Sequence, residues 1–336
     1  MKRILFATAL AALASTAMVS GTNAETIKLG VILGYTGPIE SLTPDMAAGA
    51  ELAIKEVSKS GALLGGAKVV AIRGDTTCTD SAAATAATER LVTSDKINAI
   101  VGGDCSGVTT AMLQNVALAN GIVMISPSAT SPALSTIKDN GLFFRTAPSD
   151  ARQGQVITAV LQDKGVKSAA LTYTNNDYGI GLADVYASAV KAHGINVTVV
   201  TAHEEGKGDY GAEVATLASA GGDALAVLGY LDQAGGSIIQ GSLDSGSFDR
   251  FVLSDGMIGD SLTDRFGKDL NKSFGSLPGS TGKGAGVFAK VAKAAGIDSS
   301  GPYTGESYDA AALITLAMQA GGKADRATVQ ANVMSV

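Results

Sequence analysis

Tryptophan is absent from the 336 residues of this chain, and histidine and cysteine occur only twice each. Each scarcity closes a route. With His193 and His203 as the whole supply of imidazole, the commonest general base and metal ligand are nearly missing, which argues against a hydrolase or a metalloenzyme and assigns no metal site. No G-x-S-x-G elbow occurs to carry a nucleophilic serine. Basic clusters are missing as well: the formal net charge is −6, which disfavours a nucleic-acid surface. Beyond residue 24 no apolar run approaches the roughly 18 residues that a membrane-spanning helix needs.

The chain opens Met1-Lys2-Arg3, continues as an Ala/Leu-rich stretch from Ile4 to about Val19, and reaches Thr22-Asn23-Ala24 before the polar Glu25. A basic start, a short apolar stretch and small residues predict a secretory signal peptide over residues 1–24, cleaved near Ala24. The competing reading, an uncleaved anchor, suffers from a stretch too short and too rich in Ala, Ser and Thr to cross a bilayer. No Cys follows the cut to accept a lipid. Loss of Lys2 and Arg3 takes the charge from −6 to −8. In an exported chain Cys78 and Cys105 read as a disulfide rather than a metal or redox pair, and it would pin the loop that holds Ser106.

Short Val/Ile/Ala runs alternate with longer Ala-rich helical segments from Ile27 to the C-terminus, the pattern of parallel βα units. The fold class expected is α/β, two doubly wound Rossmann-like lobes joined by a hinge. Lobe one is expected over residues 25–143 and 257–336, lobe two over 144–256, with the extended "GLFFRTAPSD" of residues 141–150 crossing between them. Asp45 and Asp80 are predicted helix N-caps. Two glycine motifs fail on context. "GKGDYG" at 206–211 is separated from its strand by His203, Glu204 and Glu205, whereas a dinucleotide fingerprint needs its first glycine where the strand ends. "GSTGKGAG" at 279–286 lacks the spacing of a phosphate loop. No cofactor is expected, and both histidines are expected at the surface.

What remains is a set of small polar loops, each following a predicted strand: "GYTGPI" at 34–39, "GGDCSG" at 102–107, "SPSATSP" at 126–132, "TNNDYG" at 174–179, "GYLDQ" at 229–233 and "SDGMIGD" at 254–260. Ligands of doubly wound sheets sit outside the carboxyl ends of the strands, so two facing lobes aim all six loops into one cleft. Pro127 and Pro132 stiffen a loop of Ser128, Ala129 and Thr130 that can bind a small polar ligand without first ordering. Ser106, at a helix start, suits a carboxylate; Asp255 and the Ser128 carbonyl suit an ammonium; Thr130 adds a donor; Tyr178 and Tyr230 offer hydroxyls and flat faces. One anionic and one cationic recognition point describe a zwitterion.

At these residues the chain resembles the periplasmic substrate-binding proteins of branched-chain amino acid ABC transporters, the Leu/Ile/Val-binding family with the type I periplasmic fold. The resemblance rests on "IKLGVILGYTGPIE", the Cys78/Cys105 pair with Ser106 following, "GIVMISPSATSPAL", "FFRTAPSD", "YTNNDYGIGLADVYASAVKAHG", "LSDGMIGDSL" and "GESYDAAALI". It implies that Ser106 and the Thr130 amide hold a ligand carboxylate, while the Ser128 carbonyl, Thr130 hydroxyl and Asp255 hold its ammonium. Tyr178 and Tyr230 would close the cleft, with Tyr35 and Leu231 lining the side-chain pocket. It also implies a monomeric, non-enzymatic periplasmic receptor that closes around a neutral, branched-chain L-amino acid and serves an inner-membrane permease with a cytoplasmic ATPase. Family chains run several tens of residues past the helix that ends here at Val336, so the last strands of lobe two are expected to be missing. Receptors of the same fold for γ-aminobutyrate, polar amino acids or amides, a sensory role, and an exported amidohydrolase or dehydrogenase using the cleft are the alternatives.

Overall fold

Two parallel sheets, each wound in the same order, account for the strands among the described residues of the computed structural model, which are 26–279 and 281–336. The expected signal peptide lies outside them. The first sheet contains β1 (Thr26–Leu33), β2 (Lys68–Asp75), β3 (Ala99–Gly102), β4 (Met124–Ser126) and β5 (Phe143–Arg145), ordered β2-β1-β3-β4-β5. Its helices are α1 (Thr43–Ser60), α2 (Ser81–Thr93) and α3 (Ser106–Met112), the last running through a π turn into α4 (Leu118–Asn120). The second sheet contains β6 (Ser168–Thr174), β7 (Asn196–His203), β8 (Ala224–Leu228), β9 (Phe251–Leu253) and β10 (Phe274–Gly275), ordered β10-β9-β8-β6-β7. Around it lie α5 (Asp150–Asp163), α6 (Asp177–Ala192), α7 (Gly211–Ala220), α8 (Gly236–Asp244) and α9 (Asp260–Phe266).

The central strands β3 and β8 are buried at every position, as strands covered on both faces must be, and so read as unbroken apolar runs. In both sheets the first strand lies between the second and third, so winding reverses beside β1 in one lobe and beside β6 in the other. That reversal opens a crevice at the carboxyl ends of the strands. After lobe two come α10 (Lys283–Ala294), α11 (Thr304–Gly321) and α12 (Arg326–Asn332), and α11 packs along α1 of lobe one. The close approach depends on Gly49 in α1, where a Cβ would stand 2.0 Å from the Thr304 carbonyl oxygen.

Several expectations need correction. Phe143–Arg145 still pairs with β4, and Phe274–Gly275 pairs with β9, so the crossings fall after residue 145 and after residue 275 rather than at 143 and 256. Nothing in the sequence marks the later return, because β10 is only two residues long and sits in a Gly/Ser-rich run without periodicity. Asp45 is not a cap: α1 starts earlier at Thr43, with Pro44 supplying the preset φ of a first turn. Asp80 does cap α2, accepting from the amides of Ala82 and Ala83. His203 is not at the surface but 1% exposed at the end of β7, turned inward onto the Thr172 hydroxyl at 2.8 Å.

Cys78 and Cys105 form a disulfide with Cα atoms 5.2 Å apart, tying the loop after β2 to the loop after β3. Replacing both by Ala is expected to lower unfolding free energy by about 3 to 4 kcal/mol in chemical denaturation, from the loop entropy of the unfolded chain. A midpoint unchanged from wild type would contradict this.

Candidate functional site

Six strand ends meet between the lobes around a cavity of about 30 Å³. Ile39, Leu42 and Met46 come from the loop after β1 and the start of α1; Asp104, Cys105 and Ser106 follow β3; Ser128 follows β4. Lobe two contributes Tyr178 after β6, Tyr230 after β8, and Asp255 and Gly256 after β9, while Tyr303 arrives at the start of α11. Among the described residues no Lys or Arg lines this cavity.

Asp255 is 3% exposed, and both its oxygens are engaged: Oδ1 accepts from the Tyr178 hydroxyl at 2.7 Å and Oδ2 from the Tyr303 hydroxyl. A carboxylate has about four lone-pair positions, so two phenols leave it able to accept from an ammonium as well. Tyr303 reaches Asp255 from a backbone with φ +57, a conformation that costs a non-glycine residue on the order of 1 kcal/mol or more. Tyr178 and Tyr230 stack with ring centroids 5.2 Å apart, making a flat wall. Burial, with the Asp255 charge next, pushes the Tyr178 and Tyr303 hydroxyls well above the usual phenol range, so both stay protonated donors.

On the opposite side Ser106, 1% exposed, accepts the Ser131 amide at 3.1 Å, which leaves its hydroxyl proton free to donate into the cleft. The "SPSATSP" loop is fastened from behind. Arg145 gives Nη1 to the carbonyls of Ala129 (3.1 Å) and Ser131 (2.9 Å) and Nη2 to the Ser135 hydroxyl, while Ser126 Oγ accepts the Ala129 amide at 2.9 Å. The Thr130 hydroxyl is buried without a partner, as are both carboxylate oxygens of Asp150, the first residue of α5. Burial and then the neighbouring Asp255 charge push the Asp150 carboxyl well above the usual range, against the opposing pull of the nearby Thr130 hydroxyl and Arg145. The cleft is therefore short of positive charge.

Of the residues expected from sequence, Ser106, Ser128, Tyr178, Tyr230 and Asp255 line the cavity; Ala129 and Thr130 lie just behind Ser128 in the same loop. Tyr35 and Leu231 do not line it. Tyr35 lies under the Arg73 guanidinium, 5.1 Å from the ring centroid, and Leu231 is buried at the start of a π turn, turned toward Gly259 and Leu42. Sequence reasoning missed Tyr303, Asp150, Asp104 and the Ile39/Leu42/Met46 wall. Asp150 carried a faint signal in its place on the crossing segment, but Tyr303 sits in "SSGPYTG", where nothing marks it. Asp104 is spent on structure, accepting from the amides of Gly34 and Cys105 and the Thr76 hydroxyl.

The lobes also touch at the cleft rim. Asp232 donates its amide to the Pro38 carbonyl at 3.0 Å and accepts the Ser41 amide at 2.8 Å; Ser261 meets the Ser41 hydroxyl at 3.0 Å; on the other flank Thr110 donates to Asp177 at 3.0 Å.

Two doubly wound lobes with a buried polar cleft between them define a two-lobed binding protein. The sequence profile of the periplasmic binding protein family matches residues 26–336, and the chain belongs to that family. It is 28% identical over 328 residues to the leucine-, isoleucine-, valine-, threonine- and alanine-binding protein of Pseudomonas aeruginosa, covering 97% of this chain and 85% of that protein. The branched-chain amino acid transporter substrate binding protein of Streptococcus pneumoniae, solved with isoleucine, superposes with a TM-score of 0.78 at 25% identity over 92% of this chain and 88% of that one. A solute binding protein of an ABC transporter from R. palustris, solved with 4-hydroxybenzoate, shares the fold at a TM-score of 0.75 and 17% identity, covering 92% and 84% of the two chains. Among the described residues no cluster of His, Cys, Asp and Glu could hold a metal, and no helix is long and apolar enough to cross a membrane.

The Asp150 carboxyl gives a pH-dependent expectation. Its folded-state pKa lies above its ordinary value, so its burial is tolerated at low pH and becomes destabilising as pH rises past about 3.8 toward the folded value. Asp150→Asn should therefore raise the ligand-free melting temperature more at pH 8 than at pH 4, with a gain at pH 8 of about 1 to 3 kcal/mol. An equal shift at both pH values, or a loss at pH 8 alone, would contradict the assignment.

Proposed function

We propose that this chain is the periplasmic substrate-binding component of an amino-acid ABC transport system, taking a neutral, branched-chain L-amino acid into the interlobe cleft without catalysing a reaction. The observation that carries this reading is the buried Asp255, with one oxygen on Tyr178 and the other on Tyr303, facing a cavity that also holds the Ser106 hydroxyl and the apolar wall of Ile39, Leu42 and Met46. The ammonium of the ligand takes the remaining lone pairs of Asp255 together with the Ser128 carbonyl and Thr130 hydroxyl, and its carboxylate takes Ser106 and the Thr130 amide. The aliphatic side chain lies against the apolar wall. An acidic ligand is disfavoured by a lining without Lys or Arg. A basic one gains little from Asp104, whose oxygens already accept three donors. The leucine-binding and isoleucine-bound relatives support the same class of ligand.

A cavity of about 30 Å³ holds about one water, whereas ligand pockets start near roughly 300 Å³. Entry therefore requires the lobes to part, breaking the Asp232, Ser261 and Thr110 contacts, and capture requires them to close again. A ligand favours the closed form only through contacts with both lobes, and Ser106 on one side with Asp255 on the other provides them. The ATPase and permease that use such a receptor belong to its partners, and the leader at residues 1–24 would deliver it to the periplasm.

Leucine, isoleucine or valine at 100 times Kd should stabilise the fold by about 2.7 kcal/mol in a thermal shift series. Asp255→Ala should weaken leucine binding by at least about 30-fold in calorimetry, since it removes one partner of a buried charge pair. A melting curve moved only by γ-aminobutyrate, polar amino acids or amides, or wild-type affinity in Asp255→Ala, would overturn the reading.

A further inference from the structure

Among the buried polar atoms of lobe two that lack partners are His203 Nε2, Glu205 Oε1 and the Tyr230 hydroxyl. They belong to one neighbourhood. His203 Nε2 lies 3.9 Å from Glu205 Oε1, and it presses so closely on the residue before Tyr230 that a Cβ at Gly229 would stand 2.9 Å from it. Tyr230 feels the Glu205 charge, which adds to burial in pushing its hydroxyl well above the usual phenol range. The other oxygen of Glu205 accepts the Ala234 amide at 3.1 Å. Ala234 sits in the π turn Leu231–Gly235, which begins directly after Tyr230 and includes Asp232. One carboxylate thus supports, from behind, both the aromatic wall of the cleft and a contact that holds the lobes together.

We infer that Glu205 is a positioning residue for the cleft, one that with His203 ties the Tyr230 ring and the Asp232 clasp to a single buried proton. The inference rests on the proposed ligand cleft only for its affinity readout. Burial holds His203 down to about 4, so it is neutral at physiological pH, and raises Glu205 to about 7. Above that pH the ionised Glu205 keeps the Ala234 amide on one oxygen and attracts the Tyr230 hydroxyl through its charge. Below it the carboxyl proton is donated to His203 Nε2 once the 3.9 Å gap closes, and the Tyr230 hydroxyl loses the attraction of the Glu205 charge. The groups facing this pair are Glu204 beside it, Tyr210 and Glu213 with its partner Lys207 from the α7 side, Thr172 and Thr174 from β6, and Asn176 at the cap of α6. Orphaned buried atoms are uncommon enough that two of them standing 3.9 Å apart, His203 Nε2 and Glu205 Oε1, call for such an exchange.

The test has two arms. In ligand-free protein carrying ¹³C-labelled tyrosine, the Tyr230 ring resonance should titrate with a midpoint near the Glu205 value of about 7 and stop titrating in Glu205→Gln. By calorimetry, leucine affinity of the wild type should fall roughly fivefold from pH 8 to pH 6, the lower end of ordinary coupling between sites, and Glu205→Gln and Tyr230→Phe should show no such slope. A Tyr230 signal unmoved between pH 6 and 8, or a slope retained in Glu205→Gln, overturns the inference. If Glu205→Gln does not fold, the wild-type titration and the Tyr230→Phe profile still decide it. Titration of Tyr230 with no leucine binding at any pH would sink the proposed ligand and leave the proton relay standing.

Discussion

A buried carboxylate without a full partner is costly, and Asp255 is the point where this chain meets that cost. Its two oxygens are held by phenols from separate parts of the chain, Tyr178 after β6 and Tyr303 at the head of α11. The second is delivered only because α11 lies against α1, which in turn needs Gly49 bare of a side chain. The repeated strand order in both lobes does the rest: winding that reverses beside β1 and beside β6 leaves crevices that face each other, and each loop bearing a polar group leaves a carboxyl end.

The same arrangement sets an energetic problem. Asp150 and Asp255 place two carboxyls in a region with no cation lining it, because Arg145 is turned to the carbonyls of Ala129 and Ser131. The phenols and a raised carboxyl pKa relieve part of that charge, and on the proposed reading a ligand ammonium relieves the rest. Rim contacts at Asp232, Ser261 and Thr110 are exposed and few, so they hold the lobes together only weakly. On that reading opening is cheap without ligand and dearer with it.

Much of the fold was legible because parallel strands buried on both faces announce themselves: β3 and β8 read as apolar runs, and helical segments follow them at regular spacing. Loops at strand ends brought Ser106, Ser128, Tyr178, Tyr230 and Asp255 into view for the same reason. Tyr303 was invisible, since its position depends on how α11 docks on α1, a tertiary fact that leaves no periodic trace. The acidic neighbours of His203 suggest a surface loop, and only the strand register shows that β7 carries it in toward Thr172. Tyr35 and Leu231 were plausible by proximity in sequence to the cleft, yet one turns to Arg73 and the other packs beneath Gly259.

The fold alone does not choose the ligand, since a neighbour of the same architecture was solved with an aromatic acid that has no amino group. The central claim is that Asp255 and its phenols recognise an ammonium while Ser106 recognises a carboxylate. Calorimetric titration of leucine beside 4-methylpentanoate, its analogue lacking the amino group, tests this most directly. Saturable heat with leucine and none with the analogue is the predicted result. Binding of the analogue as tight as that of leucine would contradict it.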